Sequence, residues 1–145
     1  MVPNDVQQFR GRVVLVVDDD RDTVESLAAI VRDFIGCEAL CAYSGHEALR
    51  IIDAGAQVDL LLADIVMPRM DGVTLTHLVK QRLPELPVVL TTGLPTAVNS
   101  AEGAGAVALI KPYSPDHLKA IFVEQVARQA GRPRSSYSGW ESAAG

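Results

Sequence analysis

Short runs of apolar residues recur along the chain, and most of them are apolar throughout instead of alternating with polar residues. The clearest run is Val13 to Val17, which is mostly β-branched, and further runs cover residues 60–63, 88–90 and 107–110. A weaker candidate covers residues 38–42. Strands that are apolar at every position are typical of parallel sheets with helices on both faces. The sequence therefore predicts an α/β fold built on a parallel sheet.

Helix signals lie between these runs. Three predicted helix starts carry residues that can cap a first turn, and these are Asp22 with Glu25, Ser44 with Glu47, and Ser114 with Pro115. An apolar stripe predicts a further helix over residues 72–82. Because crossovers between parallel strands are right-handed, the alternation predicts a five-stranded doubly wound sheet of flavodoxin-like order 2-1-3-4-5. Residues 94–105 are rich in Gly, Ala and Pro, so we expect their helix to be short or partly unwound.

The chain has 145 residues, which is long enough for one domain with its own core. We expect the folded domain to cover residues 12–130, after an N-terminal extension over residues 1–11. Residues 131–145 are polar, small and without periodicity, which predicts a flexible C-terminal tail.

Charge and hydropathy argue against several function classes. Lys and Arg number 13 against 18 Asp and Glu, and the net charge of -5 argues against nucleic-acid binding by this domain. No apolar run approaches the roughly 18 residues that a membrane span requires. The first ten residues also lack the apolar core of a secretory signal. We therefore expect a cytoplasmic protein with no membrane partner.

Polar residues follow the apolar runs at the point where each run ends. These residues are Asp18, Asp19 and Asp20 after the first run, Asp64 after the third, Thr92 at the fourth and Lys111 after the fifth. The carboxyl ends of parallel strands meet at one edge of the sheet, which is where ligands bind in open α/β folds. The sequence therefore predicts a single polar crevice.

Carboxylates that crowd together repel one another unless they share a cation. Mg²⁺ prefers oxygen ligands, uses one or two carboxylates and keeps positions for phosphate oxygens, and Mn²⁺ could substitute for it. We expect Asp19 and Asp64 to bind the ion directly and Asp18 to act through water. The backbone carbonyl of Val66 is a further candidate ligand, and Asp20 is a possible outer-shell residue.

A carboxylate beside such an ion can accept a phosphoryl group as an acyl phosphate. Asp64 is the best candidate acceptor because it stands alone at its strand end. The transferred group carries charge on three equatorial oxygens, and catalysis consists mainly of positioning and neutralising it. Lys111 and the Thr92 hydroxyl are suited to contact two of these oxygens.

Four sequence blocks resemble the signatures of the response-regulator receiver family, the CheY-like superfamily, and these are VVLVVDDD, DLLLADIVMPRMDG, PVVLTTG and LIKPYS. The resemblance covers about residues 12 to 128. It implies that Asp18 and Asp19 are the acidic pair and that Asp64 is the phosphoacceptor. It also implies that Thr92 is the switch hydroxyl and Lys111 the active-site lysine. The peptide bond before Pro112 is a candidate cis bond.

The resemblance further implies a function in a two-component system. The phosphoryl donor would be a sensor histidine kinase or a histidine phosphotransfer protein, and the signal would pass by protein–protein contacts. The domain would not be an enzyme, apart from slow self-dephosphorylation.

Two features depart from the family pattern. The position three before Lys111 usually holds an aromatic switch residue, but here it is Ala108. The stretch between Thr92 and Lys111 is also shorter than usual, which resembles atypical receivers with a reduced fourth helix. We hypothesise that phosphorylation orders residues 94–105.

Other functions remain open at this point. The segment from Asp20 to Val24 fits the Asp-x-Asp-x-Thr/Val motif of haloacid-dehalogenase-like phosphatases, although this assignment leaves Asp64 unexplained. The chain could also be a pure interaction module. A third possibility is that it is the receiver portion of a hybrid kinase or of a multidomain regulator.

Overall fold

The computed structural model describes residues 9–129, which form an α/β fold. Its strands and helices are β1 (Val13–Val17), α1 (Arg21–Ala29), β2 (Glu38–Ala42), α2 (Gly45–Asp53), β3 (Leu60–Asp64), α3 (Gly72–Arg82), β4 (Val88–Thr92), α4 (Val98–Gly103), β5 (Val107–Ile110) and α5 (Pro115–Arg128). A π-helical turn, Ile30–Ile35, continues α1, and a 3-10 turn, Pro95–Ala97, precedes α4. Across these described residues, no helix combines the length and hydropathy that a membrane span needs.

The five strands form one sheet in the order β2-β1-β3-β4-β5, and all neighbours are parallel. The predicted strand order is thus confirmed. Val17 lies opposite Ala63, and Asp64 lies opposite Thr91. The carboxyl ends of β1, β3 and β4 therefore reach the same level of the sheet.

Apolar side chains from the strands fill two cores, one on each face of the sheet. Along β3, Leu61 points into the core covered by α2, α3 and α4, whereas Leu62 points into the core covered by α1 and α5. Both leucines are fully buried. This arrangement explains why the strand is apolar at every position, since neither face is open to water.

Side-chain caps fix the helix starts. Ser44 accepts a hydrogen bond from the Glu47 N–H at 3.0 Å, and Ser114 accepts one from the His117 N–H at 3.1 Å, as predicted. The predicted cap at Asp22 is wrong, because Asp20 is the N-cap and its Oδ1 accepts the Asp22 N–H at 3.0 Å. The chain turns directly after β1, so α1 begins earlier than the sequence pattern indicates.

The segment over residues 94–105 contains only short helical pieces. The 3-10 turn has 3 residues and α4 has 6, compared with 11 in α3. Ala101 is the one residue of α4 that is buried. The expectation of a short helix is thus confirmed, because a segment without an apolar stripe gains little by packing on the sheet.

The N-terminal side of the domain contributes a core residue. Phe9 is fully buried among the side chains of α1 and α5, and its carbonyl accepts the Arg12 N–H at 3.0 Å. Part of the predicted extension therefore packs with the domain. Residues 1–8 and 130–145, which include the rest of that extension and the predicted tail, lie outside the described residues.

Candidate functional site

Lys111 and Asp64 meet at the carboxyl edge of the sheet. The Lys111 N–H donates to the Thr92 carbonyl at 2.8 Å, which fixes the start of the loop after β5 against β4. From there the Lys111 ammonium reaches Asp64, with Nζ at 2.9 Å from Oδ2. The other oxygen of Asp64, Oδ1, accepts the Val66 N–H at 3.2 Å. The loop after β5, through Lys111, and the loop after β3, through Val66, thus hold the Asp64 carboxylate in place.

Asp18 is the buried member of the three aspartates after β1. It is 4% exposed, and its Oδ1 accepts the Asp20 N–H at 3.0 Å. Burial raises the pKa of Asp18 to about 6, the Asp20 N–H opposes this rise, and the nearby Asp64 and Asp19 carboxylates add to it. The site therefore holds more negative charge than its own groups neutralise.

Asp19 and Asp20 are both exposed, but their carboxylates interact with different groups. Asp19 contributes to the raised pKa of Asp18, through charge and a side-chain hydrogen bond, so its carboxylate lies within the acidic group. The Asp20 carboxylate is engaged as the cap of α1. The structure thus brings together Asp18, Asp19 and Asp64, while Asp20 serves the helix start.

Thr92 is fully buried at the end of β4. Its hydroxyl accepts the Leu94 N–H at 3.0 Å and lies 3.4 Å from the Leu94 carbonyl. The candidate switch hydroxyl is therefore tied to the first residues of the loop that leads to α4.

Tyr113 is a site residue that the sequence reasoning missed. Burial raises its pKa to about 12, with further contributions from the Asp64 and Asp18 carboxylates. The charges of both carboxylates therefore act on the phenol. The phenol stays protonated at neutral pH. The available signal was its position two residues after Lys111, within the LIKPYS block.

The loop after Asp64 is packed too tightly for a side chain at Gly72. A Cβ there would lie 2.5 Å from the Asp64 carbonyl oxygen, and the Gly72 N–H donates to the Ile65 carbonyl at 2.8 Å. Met67 and Met70 are each 7% exposed and belong to the core that α2, α3 and α4 cover. The start of α3 is thereby locked against the strand end that carries Asp64.

Residues 14–123 match the family model for the response regulator receiver domain. The chain belongs to this family. The match includes every residue that the acidic site brings together, from Asp18 to Lys111. Together with the use of Asp20 as a helix cap, this membership argues against the phosphatase alternative.

Receiver-containing regulators are among the similar proteins of known sequence. The transcriptional regulatory protein ZraR of Salmonella typhimurium is 33% identical over 136 residues, which cover 90% of this chain and 30% of ZraR. The response regulator MprA of Mycobacterium ulcerans is 34% identical over 110 residues, which cover 74% of this chain and 47% of MprA. The receiver described here thus spans less than half the length of these relatives.

Solved receiver structures share the fold. A response regulator receiver domain protein from Clostridium thermocellum superimposes with a TM-score of 0.77 at 25% identity, covering 82% of this chain and 97% of that one. A CheY-like receiver domain protein from Methanospirillum hungatei gives a TM-score of 0.76 at 28% identity, covering 83% and 97% of the two chains.

Two structural details bear on this receiver's departures from the family pattern. Ala108 lies in β5 and packs, partly buried, against the core covered by α2, α3 and α4. A methyl group therefore occupies the position expected for the aromatic switch residue. The Lys111–Pro112 peptide bond is cis, as predicted.

Receiver domains of response regulators are signalling proteins and generally bind Mg²⁺ at the phosphorylation site. Within residues 9–129, no three His, Cys, Asp or Glu side chains are arranged so that they alone could hold a metal ion. This is compatible with Mg²⁺, which needs only one or two carboxylates and takes water and phosphate oxygens as further ligands. The local donors are all oxygens, and the pKa of Asp18 is raised chiefly by burial, with smaller contributions from the Asp64 and Asp19 carboxylates. The residues present therefore fit the ion.

Proposed function

We propose that Asp64 accepts a phosphoryl group from a sensor histidine kinase or a histidine phosphotransfer protein. The observation that carries this proposal is the ion pair between Lys111 and Asp64, at 2.9 Å, beside the buried Asp18. The reactive Asp64 carboxylate, the Lys111 cation and an acidic corner, formed by Asp18, Asp19 and Asp64, then share one edge of the sheet. Phosphoryl transfer depends mainly on positioning the reacting groups and on cations that neutralise the transferred phosphoryl group.

In the proposed reaction, an oxygen of Asp64 forms a bond to phosphorus while the bond between phosphorus and the donor histidine nitrogen breaks. The electron pair of that bond stays on the imidazole, which leaves as the neutral group after protonation. The Lys111 ammonium moves from Asp64 Oδ2 to an equatorial phosphoryl oxygen. Because Lys111 is already within hydrogen-bond distance of Asp64, this move requires little rearrangement.

The acidic corner would hold Mg²⁺ or Mn²⁺ through Asp19 and Asp64 directly, and through Asp18 by way of water. The Val66 carbonyl is the proposed backbone ligand, and the Val66 N–H bond to Asp64 Oδ1 places that residue beside the carboxylate. When bound, the ion supplies charge neutralisation at a phosphoryl oxygen. Asp20 can act only in the outer shell while it caps α1.

Thr92 is the proposed link between phosphorylation and residues 94–105. Its hydroxyl now accepts the Leu94 N–H, and it would release this bond on turning toward a phosphoryl oxygen. We propose that phosphorylation orders residues 94–105 beyond the short 3-10 turn and α4 that they already form, since Ala108 leaves no aromatic residue to rotate at that position. Hydrogen exchange should slow in this segment when beryllofluoride and Mg²⁺ are added. Unchanged exchange there, with slowed exchange at the site itself, would contradict the switch but not the phosphorylation.

The main experiment is intact-mass measurement after incubation with acetyl phosphate and Mg²⁺. Wild type should gain one phosphoryl group, and Asp64→Asn should gain none. Asp53→Asn removes an exposed carboxylate on α2 by the same chemical change and should be labelled like wild type. Equal labelling of wild type and Asp64→Asn would refute the assignment of Asp64.

A third variant separates the receiver from the phosphatase alternative. Asp20→Asn keeps a side chain that can cap α1, because Asn is as good an N-cap as Asp. It should be labelled like wild type. Labelling that survives in Asp64→Asn and disappears in Asp20→Asn would support the phosphatase.

The downstream function is proposed to work through protein contacts. The relatives ZraR and MprA are much longer than this receiver, which covers 30% and 47% of them. We propose that this receiver acts within a two-component pathway either alone or as part of a hybrid kinase or multidomain regulator. Slow self-dephosphorylation would then reset it.

A further inference from the structure

Large apolar side chains are exposed on one side of the Asp64 site. Within the described residues, the large hydrophobic side chains that are exposed number four, and three of them lie at the carboxyl edge of the sheet: Val66, Leu94 and Ile110. The fourth, Phe34, belongs to the π-helical turn after α1. Single exposed hydrophobic residues are common on protein surfaces, whereas a contiguous group of them marks a binding surface.

These three residues are neighbours because their strands are neighbours. Val66 comes two residues after the end of β3, Leu94 comes two residues after the end of β4, and Ile110 ends β5. The three strands are adjacent in the sheet, and adjacent strands lie about 4.8 Å apart. The side chains are 63%, 56% and 42% exposed. We call this surface the apolar rim.

The apolar rim borders the reactive groups. The Val66 N–H donates to Asp64 Oδ1 at 3.2 Å, and Ile110 directly precedes Lys111 in the sequence. Residues 86–101, which include β4 and the start of the loop after it, contain no charged residue. A molecule that delivers a phosphoryl group to Asp64 therefore meets uncharged, apolar surface on this side.

The other side of the site, at the start of α1, is acidic. Its exposed residues include Asp20, Asp22 and Glu25, against one cation, Arg21. The Arg21 guanidinium lies over the Tyr43 ring, 4.0 Å from its centroid, and forms no ion pair with any carboxylate in the part of the chain that the structure describes. The three acids, which we call the acidic rim, therefore keep a net negative charge.

We propose that the phosphodonor docks on both rims at once, with its phosphohistidine between them. Apolar side chains on one side of the histidine would cover the apolar rim, and Lys or Arg side chains on the other would face the acidic rim. This inference rests on the proposed function of Asp64 and adds the chemistry of the partner. Charge complementarity favours this occupant over a second copy of the chain, which has the same acidic rim and a net charge of -5.

Synthetic phosphohistidine peptides are the probe, incubated with the whole chain and Mg²⁺. The reference peptide carries lysines on one side of the phosphohistidine and leucines on the other. Matched peptides replace the lysines by glutamates or the leucines by serines. Intact-mass measurement should show about fivefold faster transfer from the reference peptide than from either matched peptide. Added salt should reduce the advantage of lysine over glutamate, because salt screens exposed charges, but not that of leucine over serine.

Variants of the chain locate these preferences on the two rims. Asp22→Asn combined with Glu25→Gln removes two charges at nearly constant side-chain size, and the preference for lysine over glutamate should fall about threefold. Ile110→Thr should reduce the preference for leucine over serine. Asp33→Asn, in the π-helical turn after α1, is the matched control and should change neither preference. Acetyl phosphate has no flanking side chains and should label all these variants like wild type.

Acetyl phosphate also separates failure of this proposal from failure of the proposed function. If acetyl phosphate does not label Asp64 of wild type, the proposed function fails and the docking proposal falls with it. If it does, equal transfer from the three peptides would overturn the docking proposal alone, and so would an unchanged lysine preference in the double variant. A dimer in sedimentation experiments that Ile110→Thr abolishes would assign the apolar rim to a second copy of the chain instead.

Discussion

Asp18 and Asp59 are equally buried, each 4% exposed, but they lie at opposite edges of the sheet. Asp59 precedes β3 and is surrounded by donors. Its Oδ2 accepts the Val13 N–H at 2.8 Å and the Gln57 amide at 3.1 Å, and its Oδ1 lies 3.8 Å from the Arg12 guanidinium. Both oxygens of this carboxylate therefore lie close to a hydrogen-bond donor or to a positive charge.

Asp18 follows β1 and has the opposite surroundings. Burial raises its pKa to about 6, the one N–H donor, from Asp20, opposes this rise, and the carboxylates of Asp64 and Asp19 add to it. Burial alone therefore does not distinguish a structural carboxylate from a functional one. What distinguishes them is whether neighbouring groups compensate the charge, and the uncompensated site is the one suited to a metal ion and a phosphoryl group.

Asp59→Ala should produce the largest loss of stability. It leaves the Val13 N–H and the Gln57 amide without their acceptor and Arg12 without its carboxylate, at a cost of about 3 kcal/mol in the free energy of unfolding. Urea denaturation measures this value. Asp59→Asn keeps one acceptor oxygen and should lose less. A loss below about 1 kcal/mol for the alanine variant would show that Asp59 is not a structural anchor.

Asp18→Asn should have the opposite effect and should raise the free energy of unfolding near neutral pH. Because the pKa of Asp18 rises from 3.8 to about 6 on folding, the native state binds more protons than the unfolded state between these values. Stability of the wild type therefore falls as pH rises through this window, by about 2–3 kcal/mol for this group.

The test is urea denaturation without Mg²⁺ at a series of pH values. Asp18→Asn should be more stable than wild type near neutral pH by about 2 kcal/mol, and the difference should vanish as pH approaches about 4. A difference that does not depend on pH would contradict the uncompensated charge at this edge.

Lys111→Gln should change stability by less than about 1 kcal/mol, because the lysine side chain is 40% exposed and solvent screens its ion pair. Its effect should appear at the site instead. Loss of a competing cation 2.9 Å from Asp64 should strengthen Mg²⁺ binding about fivefold, while labelling by acetyl phosphate slows. Calorimetric titration with Mg²⁺ measures the first effect, and weaker Mg²⁺ binding would contradict it.

Asp53→Ala should have the smallest effect. Asp53 pairs with Arg82 at 2.6 Å, but its side chain is 45% exposed. The expected loss is about 0.5 kcal/mol, and it should shrink in high salt. Since Asp53→Ala and Asp59→Ala are the same substitution beside an arginine, their difference measures the combined effect of burial and of the two further hydrogen bonds that Asp59 accepts. Equal losses would remove the basis of that comparison.

Much of the fold could be predicted because its signals are local. The five apolar runs mark the five strands, and Ser44 and Ser114 cap their helices through residues three positions away. The short α4 followed from the lack of an apolar stripe over residues 94–105. The one wrong cap, Asp22 in place of Asp20, lies where three consecutive aspartates offer alternatives that the pattern cannot rank.

Residues that depend on packing between distant segments were harder to find. Phe9 is buried by α1 and α5, although the sequence around it looks like an extension. The Asp64 and Asp18 carboxylates act on the Tyr113 phenol because the loop after β5 begins at the edge of the sheet where both acids lie.

The sequence by itself determined which chemical groups reach the carboxyl edge, because a parallel sheet aligns the ends of its strands and Asp18, Asp64 and Lys111 each directly follow or end a strand. Only the tertiary structure decided which buried aspartate is compensated. Asp59 obtains the Val13 N–H across 46 residues of chain, whereas Asp18 obtains the charge of Asp64. The physical reason is that backbone hydrogen bonding and capping act over a few residues, whereas burial and charge compensation depend on which strands become neighbours.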